Sequence, residues 1–151
     1  TATGGNALLH FANYILEFEP RFKKDLILEN QTQPIDKAKN KILGHNVKIS
    51  VKKSPNEKTN YVLQYPIRYG RTGGTSVWVE KELIDMLYGW EYIHKRGAWI
   101  TADESFLELL KEHGLEFPEK IQGESKLSQL LEEEKKLSAF LVSYFKQIIC
   151  A

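Results

Sequence analysis

The chain has 151 residues, 42% of them hydrophobic and 11% aromatic, enough to build a folded core and too many for a disordered chain. No apolar run reaches the length that spans a bilayer, and one cysteine, Cys150, excludes an internal disulfide and fits a reducing, cytoplasmic compartment. The net charge of +1 hides an asymmetry: residues 1–75 hold 12 Lys/Arg against 6 Asp/Glu and residues 76–151 hold 9 against 14, so a basic half suited to a polyanion precedes an acidic one.

In chain order, TATGGNALLHF reads as the end of a glycine-rich loop, with Ala7-Leu8-Leu9 opening a buried strand. His10 to Glu19 (HFANYILEFE) is rich in β-formers. Its second part alternates, Tyr14, Leu16 and Phe18 against Glu17 and Glu19, and Pro20 ends it because proline has no N–H for a ladder. Residues 21–44 are lysine-rich and aperiodic, the pattern of a long excursion or linker. Asn46 to Lys53 then alternates cleanly, Val47, Ile49 and Val51 opposite a polar face carrying Lys48 and Lys52. Ser54-Pro55-Asn56-Glu57 is a turn. Tyr61, Leu63, Tyr65, Ile67 and Tyr69 follow at period two as an antiparallel partner, with Pro66 marking an edge or a bulge.

The period changes in the second half. Leu83, Met86, Leu87 and Trp90 have helical spacing with Gly89 as C-cap, and HKRGAWIT at 94–101 is short enough for a strand or tight turn. Trp99 is expected to bury with Leu83, Leu87 and Trp90 against the sheet. Thr101 to Glu104 matches a capping box leading into a helix that Gly114 closes. One long helix is expected from about Ser125 to Ile149, with Leu127, Leu131, Leu137, Leu141 and Phe145 on its apolar face and EEEKK at 132–136 as a solvated stretch.

Catalytic signatures are missing. The chain has no GxxxxGK[ST] phosphate loop, no GxSxG elbow and no metal-ligand spacing among His10, His45, His94 and His113. The features left over are the glycine-rich opening, whose amides could approach phosphates, and the basic strand, whose lysines could neutralise them. An ordinary loop and a solvated strand face also explain both, and the residues taken alone favour these plainer readings.

TGGNAL at 3–8 followed by an aromatic strand resembles a motif of the RecA family of DNA-strand-exchange ATPases, where it closes a DNA-binding loop. NVKISVKK at 46–53, the tyrosine-rich partner strand, the helix through Leu83 and Leu87, KRGAWI at 95–100 and IQGESKLSQLL resemble the segments that follow in that family, in the same order. The spacing around NEKTNYVLQY resembles the bacteriophage UvsX branch more than cellular RecA. The resemblance implies an α/β fold: residues 1–100 as the β-rich C-terminal part of a RecA-like core and 101–151 as a small helical C-terminal domain. It further implies a parent DNA-dependent ATPase using ATP and Mg, with single-stranded and double-stranded DNA and further protomers of its own filament as partners, in a bacterial or phage-infected cell. The half carrying the nucleotide motifs would be absent, so this chain alone would need no cofactor and be catalytically silent.

Residue by residue, the resemblance places Thr3, Gly4, Gly5 and Asn6 at DNA phosphates and Lys48 at a second DNA strand. It directs Lys52 or Lys53 at the nucleotide of a neighbouring subunit, where a cation would stabilise a transferred phosphoryl group. His10 replaces an interface phenylalanine, and Glu19-Pro20 stands where RecA has paired arginines, a role that would pass to Arg21, Lys23 and Lys24. The alternative reading, from another class, is a self-contained protein-interaction or assembly module docking through the long C-terminal helix.

Overall fold

The computed structural model describes residues 6–56 and 58–151. The chain is mixed α/β with two antiparallel sheets and divides into two compact units, Thr1–Trp78 and Val79–Ala151. The boundary expected after residue 100 falls inside a strand of the second unit, Trp99–Ala102, because that strand pairs with its neighbours at 93–96 and 120–122.

The first unit is built on one long strand, β3 (Ile42–Lys53), after helix α1 (Asn6–Phe11) and strands β1 (Ile15–Phe18) and β2 (Leu26–Leu28). β1 and β2 share one edge of β3 end to end, β1 against residues 49–53 and β2 against residues 42–45, and β4 (Tyr61–Arg68) covers the other edge. The strand expected over 10–19 is therefore much shorter. β3 stops at Lys53, opposite Ile15, so the chain before Ile15 has no ladder to join and satisfies its backbone locally, as α1. Phe11 is 87% exposed, so its ring gains little burial there.

Pro20 ends β1 as expected: the Glu19 N–H donates to the Lys48 carbonyl at 3.0 Å, and the next residue has no N–H to give. Pro66 lies in an edge strand, opposite Asn46, and its carbonyl accepts from the Trp78 N–H at 2.9 Å on the outer edge. Its missing N–H therefore costs β3 nothing.

The 21–44 excursion is folded, not a linker. A 3₁₀ turn (Lys23–Asp25) leads into β2, and the loop beyond closes around Asn40, which is buried. The Asn40 amide nitrogen donates to the carbonyls of Asn30, Gln33 and Pro34 at 2.9–3.1 Å, and its oxygen accepts the Asn30 N–H at 2.9 Å. Gly44 is equally constrained: a Cβ there would lie 1.8 Å from the Ile67 carbonyl oxygen, across the β3–β4 ladder.

The second unit holds a contiguous apolar core. Helix α2 (Val79–Gly89), the hairpin β5 (Ile93–Arg96) and β6 (Trp99–Ala102), helix α3 (Glu104–Glu112), strand β7 (Lys120–Gln122) and helices α4 (Glu124–Glu133) and α5 (Lys135–Ile149) enclose Leu83, Leu87, Phe106, Leu127, Leu141 and Phe145. Three local expectations change. Asp103, not Thr101, caps α3, its carboxylate accepting the Ser105 N–H at 3.0 Å, because Thr101 is paired in β6. α2 does end at Gly89, but the residue that turns left-handed is Glu91, at φ 59°. The long helix breaks at Glu134, where ψ reaches 76°, and the Ser138 hydroxyl donates to the Leu131 carbonyl beside the break. α5 then turns Leu137, Leu141 and Phe145 into the unit's own core and leaves only Val142 and Ile149 as large exposed apolar side chains among its described residues.

Candidate nucleic-acid interface

Thr3, Gly4 and Gly5 lie outside the described residues, and Asn6 opens α1. The three lysines of β3 are each engaged locally. Lys48 Nζ is 2.7 Å from Asp25 Oδ1, with the Asp25 side chain nearly buried and the Lys48 side chain about one-fifth exposed. Lys52 Nζ is 3.1 Å from Glu17 Oε2 at the surface, and the Lys53 ammonium donates to the Leu9 carbonyl. A bulge between Ile15 and Leu16, where β3 supplies the extra residue Lys52, sends the two adjacent lysines to these different partners.

The polar face of β3 is thus neutralised by the chain running beside it. Glu17, Glu19 and Asp25 meet Lys52, Ser50 and Lys48 in turn, with the Ser50 hydroxyl donating to Glu19 Oε1 at 2.8 Å. The Lys48 ammonium and the Phe22 N–H, which donates to Asp25 Oδ2 at 2.9 Å, hold the Asp25 carboxyl below the ordinary carboxylate value. Lys48 clamps the 3₁₀ turn onto the sheet, and a phosphate would have to compete with a buried carboxylate for it.

An exposed run of basic residues lies on the connection between β1 and β2. Arg21, Phe22, Lys23 and Lys24 are all exposed, with the Lys24 ammonium 5.9 Å from the Phe22 ring centroid. The connection bows away from β3 between the two short strands and leaves a cleft of about 330 Å³, lined among others by Phe18, Arg21, His45, Val47, Tyr65 and Ser76.

Two of the lining residues, Arg21 and His45, meet at the Tyr69 hydroxyl. The Tyr69 hydroxyl accepts from the Arg21 guanidinium at 2.6 Å and lies 2.7 Å from His45 Nδ1. Burial, and then the Arg21 charge, push the His45 pKa below its ordinary value, with Asp25 opposing them. The neutral ring meets the Tyr69 hydroxyl in either tautomer, Nδ1 accepting the phenol proton in one and donating its own in the other.

Sequence reasoning passed over His45, Tyr65 and Tyr69 as sites. His45 looked scattered because its partner is 24 residues away and only the β3–β4 register brings the two together. Among the described residues no group of three His, Cys, Asp or Glu could hold a metal ion, and no helix is long and apolar enough to cross a membrane. No family model matches the chain, and the search of curated proteins returned no match to it.

Proposed function

We propose that the chain is the C-terminal part of a RecA-type recombinase, of the bacteriophage UvsX kind, working in ATP-dependent filament formation on single-stranded DNA and in strand exchange. The observation that carries the DNA-binding part is the exposed run Arg21-Phe22-Lys23-Lys24, an aromatic among three cations in a half of the chain with twice as many basic as acidic residues. Stacking on an exposed ring and neutralisation of phosphates by flanking cations is how single strands are held without sequence preference. The order of motifs from TGGNAL through NVKISVKK to GAW supports the family reading. ATP and Mg belong to the intact parent, where Lys52 or Lys53 would face a neighbour's nucleotide and Thr3, Gly4, Gly5 and Asn6 the DNA, while this chain hydrolyses no ATP by itself.

The test is a salt titration of single-stranded DNA binding by the chain and its variants. Lys23→Ala and Lys24→Ala should each lower the slope of log K against log salt by about 0.7, the value for one phosphate contact on a single strand. Lys48→Ala should act on stability instead, since it strands Asp25. Slopes unchanged by both loop lysines, or a DNA-stimulated ATP turnover by this chain alone, would sink the reading.

A further inference from the structure

We propose that the cleft beside β3 is a pocket for a single nucleotide, with the base lying over Val47 between Phe18 and Tyr65 and the phosphate held at Arg21. The inference rests on the nucleic-acid reading above and gives it a site. Register places the parts. Phe18 is opposite Ile49, Tyr65 is opposite Val47 and His45 is opposite Ile67, so Phe18, Val47, Tyr65 and His45 all belong to one face of the sheet. Two aromatic rings therefore stand on either side of an aliphatic floor, a geometry that suits a flat unsaturated ring and gives little to a branched aliphatic one.

The end of the cleft has the opposite chemistry. Arg21 lines it, and the Tyr69 hydroxyl takes only one of its guanidinium bonds, from Nη1. His45 turns its Nδ1 to the same hydroxyl, and His45 and Ser76 both line the cleft. A guanidinium at one end and aromatic walls at the other call for a ligand that is anionic at one end and planar at the other. A cleft of about 330 Å³ lies at the small end of ligand sites, which is the size for one nucleotide and too little for two stacked ones. Two acids also line the cleft: Asp25 is paired with the Lys48 ammonium, and Glu19, which keeps its charge, accepts from the Ser50 hydroxyl. Lys23 and Lys24 continue the positive surface along the connection, where the next phosphates of a strand would run.

The experiment compares binding of the whole chain to oligodeoxythymidylate, to an abasic oligomer of the same length and to free thymidine monophosphate. The wild-type chain should prefer the base-bearing strand about tenfold, the worth of stacking one base on an aromatic ring. Phe18 is 63% exposed, so Phe18→Ala should fold unchanged and bring that ratio close to one. Arg21→Gln should weaken both strands alike, keep the ratio and lower the salt slope by about 0.7. Saturable displacement of the His45 ring proton resonance by thymidine monophosphate, lost in Arg21→Gln, supports a pocket that takes free nucleotides. Base-dependent strand binding without that displacement supports one that takes nucleotides of a strand. A ratio untouched by Phe18→Ala overturns the pocket and leaves nucleic-acid binding standing. A wild-type chain that binds none of the three probes overturns both.

Discussion

Gly44 and His45 sit side by side on β3 and are constrained in different ways. Gly44 is held by proximity: the carbonyl of Ile67 occupies the space a Cβ needs, and that oxygen belongs to backbone in the central ladder, so it cannot swing aside. Gly44→Ala should therefore destabilise the first unit by about 3 kcal/mol, the upper part of the usual cost of overpacking, read as a loss in denaturant midpoint. His45 is held by electrostatics. Its pKa lies below the ordinary 6.5, so the folded chain resists the proton that the unfolded chain accepts. The stability it contributes is fully present above that ordinary value and is lost as pH falls through 6.5 towards the folded value. Thermal midpoints should decline as pH falls from about 7 to about 5, and His45→Gln should flatten the decline. Asp25, shifted below its ordinary 3.8, adds a second loss only at more acid pH. A slope that survives His45→Gln would assign the effect to another group.

Among the elements, the β5–β6 hairpin shows what alternation does to a side chain's fate. Ile100 points into the core and is 1% exposed, so Trp99 must face out, opposite Arg96 on one strand and Gln122 on the other, and it is 49% exposed. Trp99 looked buried from the sequence because tryptophan is the largest apolar residue, but period two in a three-stranded sheet outranks hydrophobicity. Trp99→Ala should cost under about 1 kcal/mol, whereas Phe106→Ala, fully buried against Tyr92 and Phe117, should cost about 3–5 kcal/mol. Equal losses for the two would show that the hairpin's outer face is covered. The break between α4 and α5 follows a related logic. Three successive glutamates, 132–134, lie at the junction, and the turn there lets Leu131 and Leu137 both reach full burial, which one straight helix would not require.

At the scale of the whole molecule the two units differ in how they are held. The second encloses thirteen buried apolar residues in one cluster. The first has Ile27, Ile49, Val51 and Trp78 buried and relies on ladders, the Asn40 loop and the Lys48–Asp25 pair, while Leu16, Phe18, Tyr61 and Leu63 stay exposed on one face of its sheet. Apolar burial is the dominant favourable term in folding, so the units should open separately. Native-state hydrogen exchange should find the slowest amides in α2, α4 and α5, with β1, β2 and β4 exchanging at lower denaturant. A single cooperative transition shared by both units would contradict this.

Some of this architecture was already decided by local chemistry. Alternation along 46–53 and 61–69 dictated two antiparallel strands, Pro20 and Gly114 marked real ends, and leucines at helical spacing named most of the second unit's core, because each of these depends on near neighbours in the chain. Other features depend on which residues meet across the sheet. Only the fold could turn lysines 48 and 52 from a basic face into ion pairs with Asp25 and Glu17, since charge density in a sequence says nothing of register. Only the fold could close residues 29–41 around Asn40, because hydrogen bonds to loop carbonyls leave no periodic trace. The cleft is of the same kind: Phe18, Arg21, His45, Tyr65 and Tyr69 are brought together where two short strands leave a gap along a longer one, and the length of β3 relative to β1 and β2 is set by pairing, not by propensity.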